Sequence, residues 1–206
     1  MKITKIIFLI VAIVSFSSCA SRYKLIEPKT INYVSARSND GVKLEYKYDL
    51  LRKKYKKKEE KKGIKLVAIK VTNNTERDLM FGRDITLHFL NNTQIFILEN
   101  DEVYKTLKQS PASYLWYLLL TPVNFYTYET NGYGVQETTN SVPIGLVLGP
   151  GLAGGNMIAS SSANKKFKTE LLDYNIYGTT IKKGETKYGL IGIKTDAFDA
   201  LKLKLE

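Results

Sequence analysis

The sequence predicts a mainly β fold, an antiparallel sandwich carrying an α-helical insertion, and three patterns carry that expectation. Apolar and polar residues alternate over short runs at both ends of the chain. Turn-forming clusters separate these runs at close spacing. The middle of the chain loses both the alternation and the charges. Short strands with frequent turns favour a sandwich over a parallel sheet, which needs a helix between consecutive strands.

Residues 31–37 and 42–50 flank Ser38-Asn39-Asp40-Gly41, and Asp-Gly between alternating runs is a hairpin signal. Val42, Leu44, Tyr46, Tyr48 and Leu50 fall on one face of the second run. Residues 64–72 are nearly continuous in apolar side chains (Leu66, Val67, Ala68, Ile69, Val71), as in a central strand covered on both faces. Asn73-Asn74-Thr75 turns the chain, and residues 77–81, 85–90 and 94–98 read as three further strands. Residues 188–194 and 201–206 close the set, with Leu201, Leu203 and Leu205 alternating against Lys202, Lys204 and Glu206. Together these runs define a domain over residues 31–206, interrupted by an insertion at about 100–174.

Within the insertion, Asn100 is placed to cap a helix with Asp101 and Glu102 at its start and Lys105 and Lys108 near its end, matching the macrodipole. Ser110 and Pro111 open a second helical stretch that Thr121-Pro122 stops. Ala163, Phe167, Leu171 and Tyr174 form one apolar stripe of an amphipathic helix. Two uncharged stretches lie between, residues 109–128 and 138–164. They read either as cover over the end of the sandwich, a surface for a partner included, or as two legs dipping into a membrane. Trp116, Gly149, Gly151, Gly154 and Gly155 are the candidate contact surface of the insertion, since the glycines permit close helix approach.

The N-terminus carries an address. Lys2 and Lys5 make a basic start, residues 6–14 form an apolar run of nine, and Ser15-Phe16-Ser17-Ser18-Cys19 is a small-residue exit. A run of that length does not span a bilayer as a helix. Phe16-Ser17-Ser18-Cys19 resembles the lipobox of bacterial lipoproteins, with Phe16 where an aliphatic residue is usual. The resemblance implies cleavage before Cys19, removal of residues 1–18 as a signal peptide, and acylation of Cys19. Two or three acyl chains anchor a protein stably, where one is marginal. Residues 19–30 then read as a tether holding the folded part off the lipid. Ala20 and Ser21 lack the aspartate that retains such lipoproteins in the inner membrane, so the resemblance points to the outer membrane, facing the periplasm.

The run from residue 67 to 75, Val-Ala-Ile-Lys-Val-Thr-Asn-Asn-Thr, and the later Ile181-Lys-Lys-Gly-Glu-Thr186 resemble immunoglobulin-like modules of small exported bacterial proteins. That likeness implies architecture alone, an immunoglobulin-like sandwich.

Charge and chemistry narrow the function. The chain has 31 basic and 20 acidic residues, and loss of Lys2 and Lys5 leaves 29 against 20, or +9. Such a balance usually means nucleic acid, but an exported chain meets phospholipid headgroups, other envelope polyanions or acidic proteins instead, so no nucleic acid is expected. Arg52, Lys53, Lys54, Lys56, Lys57, Lys58, Lys61 and Lys62 crowd into eleven residues with two glutamates. A run this dense reads as a solvated loop, with contact to anionic headgroups as its functional reading.

The single His88 lies out of phase with Ile85, Leu87 and Phe89 and is expected at a surface or half-buried position. With one histidine and one cysteine, no metal site, disulfide or cofactor is expected. Gly149-Pro-Gly-Leu-Ala-Gly154 spells a dinucleotide-binding glycine pattern, but Pro150 removes an amide and no repeating strand-helix units surround it. Ser162-Ala-Asn-Lys165 spells the serine motif of penicillin-binding proteins without that site's other elements. The expectation is therefore a non-enzymatic envelope lipoprotein, held in the bilayer through Cys19, that binds an envelope protein partner; the other reading is a carrier of an apolar ligand with the insertion as its lid. The oligomeric state stays open.

Overall fold

A computed structural model of the protein describes residues 19–206, and the expected signal peptide lies outside them. The fold is mainly β, in several antiparallel sheets, with helices. The described chain forms two compact units, one of Tyr23–Lys108 with Asn164–Glu206, the other of the residues up to Arg22 with Gln109–Ala163.

The larger unit is built on a five-stranded antiparallel sheet. It contains β1 (Ser35–Asn39), β2 (Val42–Lys47), β3 (Ile64–Asn73), β10 (Thr186–Lys194) and β6 (Ile97–Leu98), side by side in that order. Asp40 and Gly41 both take positive φ, 48° and 79°, and close the β1–β2 hairpin between Asn39 and Val42. The Asp-Gly pair there suits a two-residue turn whose twist matches the strands. Strand β3 lies between β2 and β10 and is buried on both faces, as its apolar run predicts.

On one face Val42, Leu44, Tyr46, Val67, Ile69, Val71, Ile191 and Ile193 meet side chains from two short strand pairs. One pair is β5 (Ile85–Phe89) with β11 (Leu201–Leu205), the other β4 (Leu79–Met80) with β9 (Thr180–Ile181). Tyr46 ties the layers by accepting a 3.1 Å hydrogen bond from the Leu201 amide. Asn73, fully buried at the end of β3, donates to the carbonyls of Arg77 and Ile181 and accepts from Thr75, so the polar turn closes without an unpaired group.

The opposite face of the sheet carries helices. Here α1 (Lys53–Lys62) packs on β3 and α2 (Asn100–Leu107) packs on β10. A Cβ at Gly192 would run into the Val103 side chain, so the glycine sets how closely α2 approaches the sheet. Tyr55 of α1, Phe167 of α3 (Gly145–Asp173) and Tyr23 form an aromatic cluster with ring centroids 5.2–5.3 Å apart. Ala163, Phe167 and Leu171 are buried and Tyr174 half-buried, the stripe that the spacing predicts.

Several expectations are corrected. The basic run is the helix α1, not a loop: Tyr55 and Glu59 sit one turn apart on its buried face, and lysine is a good helix former. Gly63 ends that helix in the left-handed region at φ 61°, its N–H donating to the Glu59 carbonyl. The expected tether is laid down on the fold: Ser21, Tyr23 and Ile26 are buried, and the Ile26 and Glu27 amides donate to Glu170 at 2.8 and 2.7 Å. Glu99, not Asn100, stands at the N-cap of α2, and the Asn100 amide instead donates to the Leu171 carbonyl at 2.9 Å.

His88 points away from the core as its phase implies but is only 6% exposed. Its ring nitrogens lie 2.9 Å from the Thr86 hydroxyl and 3.1 Å from the Asn92 carbonyl, because the 91–94 turn folds over it. The strands are also shorter than read at 77–81 and 94–98, and the first begins at Ser35.

The insertion is not one helical block. Its first and last parts belong with the sheet, and the smaller unit takes only residues 109–163 of it. That unit holds a 3-10 helix (Pro111–Leu120), the hairpin β7 (Phe125–Thr130) with β8 (Gln136–Val142), and the first part of α3. Residues 145–148, just before the glycine pattern, lie inside α3.

Candidate functional site

The smaller unit is the most unusual surface of the molecule. Across its 55 residues from Gln109 to Ala163 only Glu129 and Glu137 are charged. Its large apolar side chains nonetheless face solvent: Trp116 is 74% exposed, Val147 75% and Tyr133 94%, with Leu119, Phe125, Tyr128, Leu146 and Ile158 also exposed. So many exposed large apolar side chains in one nearly uncharged unit make it the candidate site.

Glycine makes the local packing possible. A Cβ at Gly145 would strike the carbonyl oxygens of Leu120 and Thr121, and one at Gly149 would lie 2.7 Å from the Thr121 hydroxyl. The 3-10 helix and the start of α3 therefore touch backbone to backbone, and the Gly145 amide donates to the Val123 carbonyl at 2.8 Å. Gly151, Gly154 and Gly155 meet nothing within 4 Å, so no packing in the unit requires a glycine there. The glycine pattern lies within α3, with Pro150 inside the helix, and forms no phosphate-binding turn.

The hairpin has an Asn131-Gly132 turn signal that sequence reading passed over, because its Thr, Tyr, Asn and Gln strands lack apolar alternation. Every residue of β7 and β8 is exposed, and among the described residues each strand pairs only with the other. Two-stranded hairpins are marginal alone in water, and neither strand carries the lysine or proline that blunts an open edge. Glu129 and Glu137 face each other across the strands, with the Asn131 amide donating to Glu137 at 2.8 Å.

Cys19 is exposed and sits in this same unit. Next to it the Ala20 amide donates to Asn156 Oδ1 at 2.6 Å. Ser21 and Gln109 pair twice, the Ser21 amide to Oε1 at 2.9 Å and Nε2 to the Ser21 carbonyl at 2.6 Å. Tyr114, buried beneath, has its phenol pushed up by burial first and by the nearby Cys19 second. Gln109 and Asn156 carry no sequence signal, since their partners Ser21 and Ala20 lie 88 and 136 residues away.

The basic residues form a separate surface on α1. Tyr55 and Glu59 anchor the helix, the Tyr55 hydroxyl donating to Asn164 at 3.0 Å and Glu59 accepting from the Leu66 amide at 2.7 Å. Burial holds the Glu59 carboxyl above the usual range. Arg52, Lys53, Lys57, Lys61 and Lys62 face solvent, while Lys54, Lys56 and Lys58 are half-buried. Lys56 pairs with Asp49 at 2.6 Å and Lys58 donates to the Lys108 carbonyl. Burial, then Lys62 and Lys108, pull the Lys58 ammonium down.

Ser162 and Lys165 lie within α3, and among the described residues no three His, Cys, Asp or Glu side chains gather as metal ligands. Among the same residues no helix is long and apolar enough to cross a membrane. No protein-family model, curated protein or solved structure matches the chain.

Proposed function

We propose that the protein is a lipid-anchored envelope lipoprotein, acylated at Cys19, facing the periplasm from the outer membrane, whose immunoglobulin-like sandwich displays residues 109–163 as a non-enzymatic interaction surface. The observation that carries the reading is the uncovered, almost uncharged apolar unit in which Cys19 itself is fixed. The two-layer packing of the five-stranded sheet against β5, β11, β4 and β9 supports the sandwich. Antiparallel layers with alternating inward side chains are the physical content of that architecture.

The carrier reading has less support. The apolar hollow in the unit, about 550 Å³, is lined by Val142, Pro143, Ile144, Leu146, Val147 and Leu148. Leu146 and Val147 remain mostly exposed, whereas pockets that hold apolar ligands enclose most of the ligand surface.

Mass spectrometry of the N-terminal peptide from the membrane fraction tests the anchor. The expected peptide starts at Cys19 and carries two or three acyl chains; a peptide starting elsewhere, or an unmodified Cys19, overturns the reading.

A further inference from the structure

Resting on that reading, we infer that the bilayer itself covers part of the apolar unit: the 3-10 helix and the start of α3 seat Trp116, Leu119, Leu146 and Val147 in the headgroup and upper acyl region around the Cys19 lipid. The protein is then held by a built surface as well as by its acyl chains.

Three observations lead there. First, no free spacer separates Cys19 from the unit, because Ala20 bonds to Asn156 and Ser21 to Gln109. Acyl chains on Cys19 therefore bring this unit, and not a distant end of a tether, to the lipid surface.

Second, the two elements proposed to meet lipid, the 3-10 helix and the start of α3, lie in uncharged stretches. Residues 109–128 and 138–164 contain no Asp, Glu, Lys or Arg. A protein partner would accept, and usually adds, a charged rim around an apolar centre; hydrocarbon does not tolerate one. Trp and Tyr suit the boundary because one end of the ring is apolar and the other polar, and Trp116 and Tyr117 stand side by side on the 3-10 helix.

Third, the strands are too short and α3, with 29 residues, is not apolar enough to do more than lie in the boundary. The hairpin strands have six and seven residues, where a spanning strand needs about 9–11. Among the described residues no helix can span either. An apolar face of this size lies about 5–10 Å into the headgroup and acyl boundary.

Trp116 is the only tryptophan, so its fluorescence reports this site alone. The acylated protein is reconstituted in vesicles of phosphatidylethanolamine and phosphatidylglycerol, with and without lipids brominated in the upper acyl chain. Flotation and the acylated N-terminal mass are read on the same sample, so loss of the anchor is seen separately from loss of the seat. The expected result is strong dimming of Trp116 by brominated lipid, with iodide quenching at least severalfold weaker than for the Cys19→Ser chain in buffer.

A protein that floats yet shows no bromine quenching overturns the proposal. Shielding from iodide without bromine quenching does so too, because a protein partner then covers the patch.

The seat is also tested without the anchor. The Cys19→Ser chain is expected to bind neutral phosphatidylcholine vesicles with little dependence on salt, since no charge is involved. Leu119→Asp with Val147→Asp weakens that binding on the order of tenfold; both positions are exposed, so the fold does not depend on them. Absence of binding by Cys19→Ser, or binding unchanged by the two aspartates, rejects the seat whatever Cys19 carries.

Discussion

Glu170 is buried, and its oxygens are taken by three donors from one segment. The Tyr23 hydroxyl donates at 2.6 Å, and the Ile26 and Glu27 amides at 2.8 and 2.7 Å. Burial, then Glu170, drives the Tyr23 phenol far above its usual range, so it acts as a donor throughout the working pH. This clasp replaces the expected tether. Removing it by Glu170→Ala leaves buried donors unmet and is expected to cost about 3 kcal/mol, against about 1 kcal/mol for Tyr23→Phe, in urea titrations of the Cys19→Ser chain.

Glu59 behaves oppositely on titration. Burial raises its carboxyl, so the folded chain holds a proton where the unfolded chain has released it, and stability falls as pH rises from the ordinary carboxylate range through the raised value. Glu59→Gln keeps an acceptor for Leu66 and removes the charge. Its urea midpoint is expected above that of the parent near about pH 7 and level with it at about pH 3, where both side chains are neutral; a lower midpoint at neutral pH contradicts this account.

At the scale of elements, the sheet was legible and the helices partly so. Val42, Leu44 and Tyr46 alternate, Asp40-Gly41 turns, and the apolar run in β3 became the strand covered on both sides. These signals are local, which is why sequence exposes them. What the sequence concealed depended on distant partners. The helix α1 follows from two residues, Tyr55 and Glu59, that only tertiary contacts with Phe167, Tyr23 and Leu66 make informative. The hairpin β7–β8 hid in polar strands, and its Asn131-Gly132 turn was outweighed by the uncharged composition around it.

Glycine in β10 is the same kind of concealed signal, because a strand interior ordinarily disfavours it. Gly192 lies against Val103 of α2. Gly192→Ala is expected to destabilise by about 2 kcal/mol, since Val103 is fully buried and stiff at χ1. Combining it with Val103→Ala should cost less than the two single changes added together. Strict additivity in thermal or urea unfolding would mean that the close approach is not what requires glycine.

Across the whole molecule, charge is concentrated in the sheet-bearing unit. The apolar unit carries two glutamates and no basic residue between Gln109 and Ala163, while the basic residues of α1 belong to the sheet-bearing unit. The uncharged stretches, Trp116 and the glycines are legible in the sequence. The contact of the 3-10 helix with α3 through Gly145 and Gly149, with Gly151, Gly154 and Gly155 left open, is not. Nor is the fixing of Cys19 to the same unit, because Asn156 and Gln109 are unremarkable until they are brought beside residues 20 and 21.

The central claim is that residues 109–163 are the working surface of an anchored protein. The most direct measurement places a photo-crosslinking residue at Tyr128, on the exposed hairpin, and identifies adducts from intact membranes. The same is done in a chain whose residues 141–160 are replaced by a short polar linker and whose sheet-bearing unit still unfolds cooperatively. Defined envelope partners that form adducts with the first chain and are lost from the second are the expected result. Absence of any adduct at Tyr128, or partners that persist after the replacement, would contradict it.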